Sequence, residues 1–93
     1  MSEDIRHNTD RQQYEAWIDD ELAGVAHYRL EGDVAVFDHT VVEPAFGGRG
    51  VAGRLVGWAL DDVRAAGQWR VRPACSFVVG FVAKHPEYAD LVA

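Results

Sequence analysis

The chain has 93 residues, a net charge of −6, 48% hydrophobic and 26% charged residues, and a single cysteine. That is one small domain, able to bury roughly 60–65% of the surface its unfolded chain exposes. Its acidity argues against nucleic acid, which is bound through clustered Lys and Arg, and suits a cationic substrate such as an amine. A lone thiol excludes an internal disulfide, no Cys/His spacing matches a metal site, and no apolar run reaches the ~18 residues of a membrane span.

Three Trp, four Phe and three Tyr indicate a packed core rather than disorder. Met1-Ser2-Glu3-Asp4 is too acidic for a secretion signal. The expectations are a cytoplasmic protein with no membrane and no nucleic-acid partner, a monomer or weak homodimer.

Residues 1–10 are polar and carry little pattern, which reads as a loose lead-in before a single domain at 11–93. Arg11 to Ile18 predicts a strand with Tyr14 and Ala16 on one face and Trp17 on the other. Asp19-Asp20-Glu21 is a polar turn, and Leu22 to Leu30 is rich in strand formers. After the turn Glu31-Gly32-Asp33, Val34 to Val42 alternates most clearly, setting Val34, Val36, Asp38 and Thr40 against Ala35, Phe37, His39 and Val41. Three strands on short turns make an antiparallel meander.

Pro44 ends the third strand, and the period then changes. From Val51 to Ala66 the apolar positions Ala52, Leu55, Val56, Ala59, Val63 and Ala66 share one helical face, with Gly67 as C-terminal cap. Gln68 to Arg72 reads as a short strand ended by Pro73. Ala74 to His85 reads as a second helix with Ser76 as N-cap, Val78, Val79 and Val82 on one stripe, and Phe77 and Phe81 on another. Pro86 stops it, and Glu87 to Ala93 suits a short helical turn. The order β-β-β-α-β-α is an α+β fold whose last strand returns parallel to the third by a crossover.

The loop Phe46-Gly47-Gly48-Arg49-Gly50-Val51-Ala52-Gly53 joins the clearest strand to the clearest helix. Glycine lets backbone approach a ligand closely. The first helical turn carries amides without intrahelical partners, and with the helix dipole these make an anion site. A pyrophosphate suits it, with Arg49 or Arg54 adding charge. No Gly-Lys-Ser/Thr follows, as an NTPase P-loop requires, and a meander precedes the loop where a dinucleotide fold needs a parallel sheet. Taken alone, the loop is equally a tight strand–helix turn.

The stretch from His39 to Leu60 resembles the acyl-CoA-binding motif of the GNAT superfamily, Gln/Arg-x-x-Gly-x-Gly/Ala after a strand ending in Val-x-Pro. More closely, the chain resembles a family of minimal GNAT-like domains of about 90 to 100 residues. The shared features are the strand end His39-Thr40-Val41-Val42-Glu43-Pro44, the glycine loop, and Cys75-Ser76-Phe77-Val78 through His85-Pro86-Glu87-Tyr88-Ala89-Asp90-Leu91. The resemblance runs from about residue 11 to 93. It implies a GNAT-like fold and an N-acetyltransferase that moves an acetyl group from acetyl-CoA to a small-molecule or peptide amine. It assigns the cofactor to Gly47, Gly48, Arg49, Gly50, Val51 and Ala52, with amides from Gly48 onward on the pyrophosphate, and its pantetheine arm to the backbone of Val41 and Val42. Gly50 and Ala52 match the motif; Gly47 departs from the usual Gln or Arg, so a side-chain contribution there is missing.

Two residues are candidates for chemistry. Cys75 precedes a helix, and the dipole and Arg72 would favour its thiolate; on residue physics it reads more simply as a small packed hydrophobe on the helix stripe. The resemblance places it near the acyl end of the cofactor, where it would accept the acetyl group or sit beside the CoA sulfur. His39, at the end of the central strand, suits a base that takes the amine's proton, or a structural hydrogen bond. Strict alternation sends Asp38 to the opposite face, so the two form no dyad. Glu43 is a weaker candidate for drawing an amine and reads more simply as a surface carboxylate. Trp58 lies off the helix stripe, His85-Pro86-Glu87-Tyr88 bounds the substrate or cofactor cleft or is a helix stop with Tyr88 on the core, and His7 and His27 carry no signal. The alternative functions are a non-catalytic acyl-CoA-binding or interaction domain and a plain structural module.

Overall fold

The computed structural model describes residues 2–93. Five strands form one sheet in chain order: β1 (Glu3–Asn8), β2 (Gln13–Ile18), β3 (Glu21–Glu31), β4 (Val34–Val42) and β5 (Arg70–Pro73). The first four pair antiparallel. β5 pairs parallel to β4, reached by a crossover through α1 (Val51–Ala66), and α2 (Ser76–Lys84) follows it. Short 3₁₀ turns at Pro44–Phe46 and Pro86–Leu91 flank the helices. The expected α+β order with its parallel crossover is present.

The lead-in is the first correction. Residues 3–8 are a strand, paired from Glu3↔Ile18 to Asn8↔Gln13, so the meander has four strands rather than three. Its sequence, Glu-Asp-Ile-Arg-His-Asn, holds one aliphatic residue, Ile5, which packs against the core. The rest of its hold is aromatic and ionic. His7 stacks on Tyr14 with ring centroids 4.0 Å apart, and its Nε2 lies 2.7 Å from the Tyr28 hydroxyl. Arg54 on α1 donates twice to Glu3, each time at 2.8 Å. Burial pushes the His7 imidazole down, against the charge of Asp62.

The β2–β3 turn is a two-residue hairpin at Asp19-Asp20, both with positive φ (49° and 69°), as a type I′ turn requires. Tyr14, Ala16 and Ile18 of β2 enter the core, and Trp17 faces the other way under the Arg6 guanidinium. The α1 boundaries match the sequence reading, and the Gly67 cap is left-handed, its amide bonded to the Val63 carbonyl. The buried stripe is rotated slightly: Val51 and Leu60 are inside, while Ala66 is exposed. α2 differs more. Its N-cap is Cys75, not Ser76, and of its valines only Val78 is fully buried, Val79 being half exposed.

α2 and the C-terminal turn pack beside α1 on one face of the sheet. Tyr88 is buried there, and its hydroxyl donates to Asp61 at 2.8 Å. Among the described residues, no helix covers the opposite face.

That face is shaped by a bulge. His27 stands opposite His39, yet the next pair is Tyr28 with Phe37, so Asp38 is an extra residue in β4. Before it, Ala35 and Phe37 point to the helices. Beyond it, Thr40 and Val42 take the helix side, while His39 and Val41 lie exposed on the bare side. Asp38 and His39 therefore share a face, which corrects the strict alternation expected for this strand.

Two measurements check these packing claims. Deleting residues 1–8 is expected to lower the thermal midpoint by about 10 °C or more, since about 2 kcal/mol moves a domain this small by that amount; a loose segment would leave it nearly unmoved. The second uses alkali. Burial and the bond to Asp61 push the Tyr88 hydroxyl up to about 12, and burial with Asp62 pushes Tyr14 up as well. In the unfolded chain these hydroxyls ionise near the ordinary 10.0. Their contribution is complete below pH 10 and is lost as pH climbs toward 12. Denaturant titrations across that range should show falling stability, with a shallower slope for Tyr88→Phe.

Candidate functional site

β4 outruns its parallel partner. The ladder ends at Phe37↔Pro73, and the amides of Ala74 and Cys75 both bond to the Phe37 carbonyl, at 2.9 and 3.1 Å. From Asp38 to Val42, the β4 edge facing β5 has no strand beside it among the described residues. The chain after β5 turns into α2, leaving a slot between that edge and the start of the helix.

Cys75 stands at the mouth of the slot. Its sulfur lies 3.3 Å from Thr40 Oγ1 and it packs against the core, partly buried. Arg72, expected to polarise this thiol, instead donates to Glu31 at 2.9 Å. His39 and Cys75 do not meet: Thr40 reaches the sulfur on the helix side, and His39 projects from the bare side.

At the far end of the slot the chain passes through the Pro44–Phe46 turn into the glycine loop. Gly47 has ordinary backbone angles (φ −64°, ψ 149°). Gly48 and Gly50 are left-handed, at φ 78° and 73°. The first backbone bond of α1 runs from the Arg54 amide to the Gly50 carbonyl. Among the described residues, the amides of Gly48, Arg49, Gly50, Val51, Ala52 and Gly53 have no acceptor, and no side chain caps the helix. Six adjacent free donors at the positive end of a four-turn helix form an anion cradle.

The two arginines of the loop differ. Arg54 is committed to Glu3 and to the Arg49 carbonyl at 2.7 Å, so it fastens β1 to the loop. Arg49 is exposed over the Phe46 ring, 5.4 Å from its centroid, with no carboxylate partner among the described residues.

Two features escaped the sequence reading. One is a groove of about 340 Å³ beside the cradle, lined by Gly53, Ser76, Phe77, Phe81, Lys84 and His85. Lys84 also lacks an ion-pair partner among the described residues. The helical spacing of Phe77, Phe81 and Lys84 was visible, but not that this face turns toward α1. The other is an acid–imidazole pair, His27 Nδ1 to Asp38 Oδ1 at 2.8 Å, with His39 alongside at 6.3 Å between ring centroids. Burial would raise the Asp38 carboxyl, but the bond and charge of His27, its own amide and the charge of His39 outweigh it and hold it below the usual range. Two consecutive polar residues, Asp38-His39, inside an alternating strand were the available signal of a bulge.

The loop geometry predicts unequal tolerance to substitution. Gly48→Ala and Gly50→Ala each place a side chain in the left-handed region and should cost about 1–2 kcal/mol in denaturant unfolding. At Gly50 the new Cβ also meets the Arg54 guanidinium at 3.1 Å. Gly47→Ala, with ordinary φ and its nearest neighbour at 3.4 Å, should stay within about 0.5 kcal/mol of the parent.

Solved structures share this architecture. A GCN5-like protein from Staphylococcus aureus, solved by NMR, aligns over 97% of this chain and 87% of its own at a TM-score of 0.73 and 21% identity. The ribosomal-protein-S18-alanine N-acetyltransferase of Escherichia coli aligns at 0.65 and 13% identity, over 77% of this chain and 49% of that one. N-acetylglutamate synthase from Neisseria gonorrhoeae, solved with coenzyme A and N-acetyl-glutamate, aligns at 0.60 and 21% identity, over 78% of this chain but 18% of its own. At such identities the likeness is one of fold. No curated protein matches the sequence. The model of the GCN5-related N-acetyltransferase family matches residues 13–91, which takes in all of the sheet but β1, the glycine loop and both helices, and the chain belongs to that family.

Proposed function

We propose that the chain binds acetyl-CoA in the β4–β5 slot and transfers its acetyl group to an amine. The observation that carries this reading is the run of free amides from Gly48 to Gly53 with Arg49, unpaired by any carboxylate among the described residues, in the same loop. In a chain of net charge −6, unpaired cations and free amides at one spot favour an anionic ligand. The diphosphate takes the amides of Gly48 to Ala52 and the Arg49 guanidinium. The pantetheine arm extends along the free β4 edge at Val41 and Val42. The nucleotide end enters the groove of Phe77, Lys84 and His85, which offers aromatic faces and positive charge. The acyl end then reaches the place where the strands part, near Thr40, Cys75 and His39. What the cofactor supplies there is an activated acyl thioester.

The geometry favours direct transfer over a thioester on Cys75. A nucleophilic thiol is activated by a base within hydrogen-bond reach, a nearby cation or a helix N-terminus; Cys75 has only the last, since Arg72 is paired with Glu31. The partner of Cys75 is the Thr40 hydroxyl, not an imidazole. The bare sheet face, carrying the imidazoles of His27 and His39, is the open approach for an amine, whose proton an imidazole can take. The overall negative charge draws cationic amines toward it.

Calorimetric titration with acetyl-CoA tests the reading. Binding is expected in the parent. Arg49→Ala should weaken it by about tenfold, the value of one charge-assisted contact. Gly50→Val should abolish it, because a branched side chain would fill the cradle. Heat and affinity unchanged in a folded Gly50→Val protein would refute the cradle. Intact mass after incubation with acetyl-CoA decides the route: direct transfer leaves the protein unmodified. An acetyl adduct present in the parent and lost in Cys75→Ala would establish the thioester route instead.

A further inference from the structure

We propose that the proton-accepting group for the acceptor amine is His27, held by Asp38 across the β3–β4 pair at the point where the slot opens. This rests on the acetyltransferase reading above. Four observations converge on it. The Asp38 bulge lies immediately after Phe37, the last β4 residue paired with β5, so the acid sits where the strands part. Its carboxylate holds His27 Nδ1 at 2.8 Å, which fixes the Nδ1–H tautomer and leaves Nε2 bare, the arrangement a base needs. The pair lies on the sheet face no helix covers, with the His27 side chain 36% and the Asp38 side chain 20% exposed. His39 stands directly opposite His27 with ring centroids 6.3 Å apart, so both rings share the face on which the bulge lies.

The charges around His27 leave this role to it. Asp38 is already bonded to the ring, and Arg29 approaches the same carboxylate at 3.7 Å. Glu15, on the same face of β2, accepts from Asn8, Gln13 and Trp17 and is closed to an amine. Gln13 is the uncharged neighbour opposite His27 on β2. Of the two rings, His27 has a carboxylate orienting it, and His39 has no hydrogen-bond partner among the described residues.

The step balances simply. The amine nitrogen's lone pair forms the N–C bond to the acetyl carbonyl. The C–S bond breaks, and sulfur keeps its electron pair and takes one proton. The other proton shed by the original ammonium goes to His27 Nε2 and on to water. Asp38 does not touch the amine; it is a positioning residue that stabilises the imidazolium formed.

The test combines kinetics with a readout independent of turnover. His27→Gln, Asp38→Asn and His39→Gln are compared with the parent on a panel of primary amines. CoA affinity is measured for each as a check of fold. His27→Gln and Asp38→Asn should bind CoA normally and lose about a hundredfold in kcat/KM, a typical share for a general base. The acid limb of the pH–rate profile should vanish in His27→Gln and survive in His39→Gln. Nitrogen NMR of the parent's neutral imidazoles should show the His27 proton on Nδ1 and none on Nε2, a preference lost in Asp38→Asn. An acid limb unchanged in His27→Gln, or a neutral His27 carrying its proton on Nε2 in the parent, would overturn the assignment while leaving the acetyltransferase reading intact. A parent that binds CoA yet acetylates no amine would remove that reading and this assignment together, and is recognised because all four proteins then behave alike.

Discussion

The parallel pairing of β4 with β5 stops at a proline, and the rest of the molecule is arranged around that stop. Pro73 has no amide hydrogen to continue the ladder. The next two amides, of Ala74 and Cys75, both turn back onto the Phe37 carbonyl. The chain then leaves the sheet for α2 while β4 runs on alone to Val42. The free edge, the position of Cys75 and the opening toward the bare face all result. On β4, the Asp38 bulge absorbs the same divergence, since an extra residue bends the strand and turns the residues beyond it.

Much of this was legible in the sequence, because the signals were local. The switch from a period of two to one of 3.6 at Val51 fixed α1 to the residue, and Gly67 ended it for the reason glycine usually does. The turn at Asp19-Asp20 and the stop at Pro44 needed no partner to be read. β1 was not legible because nothing in Glu-Asp-Ile-Arg-His-Asn makes a strand by itself. It forms by borrowing the edge of β2, the ring of Tyr14 and the guanidinium of Arg54. The bulge was hidden for a related reason. Alternation gives the face of a residue only while register holds, and a one-residue slip reverses every assignment beyond it. Unbroken alternation sets His39 on the face opposite Asp38 and gives His27 no partner.

The loop and the first strand are mechanically one unit. Arg54 ties Glu3 to the Arg49 carbonyl, so the N-terminal edge of the sheet helps hold the residues that shape the cradle. In an exposed position such an ion pair adds little stability. Its consequence is geometric: the Arg54 side chain is taken up by Glu3 and the Arg49 carbonyl, while the Arg49 guanidinium lies over the Phe46 ring with no carboxylate partner among the described residues. The family's usual side chain at the first motif position is replaced here by Gly47, whose ordinary backbone angles demand no glycine. The small residue at that point is therefore not imposed by the fold, and the cradle relies on main-chain donors and one arginine.

A chain of this length has material for one layer of helices, and both lie on the same side of the sheet. The uncovered side mixes polar and apolar groups: Arg29, the buried but fully bonded Glu15 and the histidine pair lie on the same face as Trp17 and the exposed Val41. What distinguishes the His27–Asp38 pair from solvated polarity is its position. Surface polarity has no reason to gather an oriented imidazole and a carboxylate at the place where two strands separate, and alternation alone could not have put them there. The bulge did, and it lies at the break in the β3–β4 register, beside the slot that the proline opens.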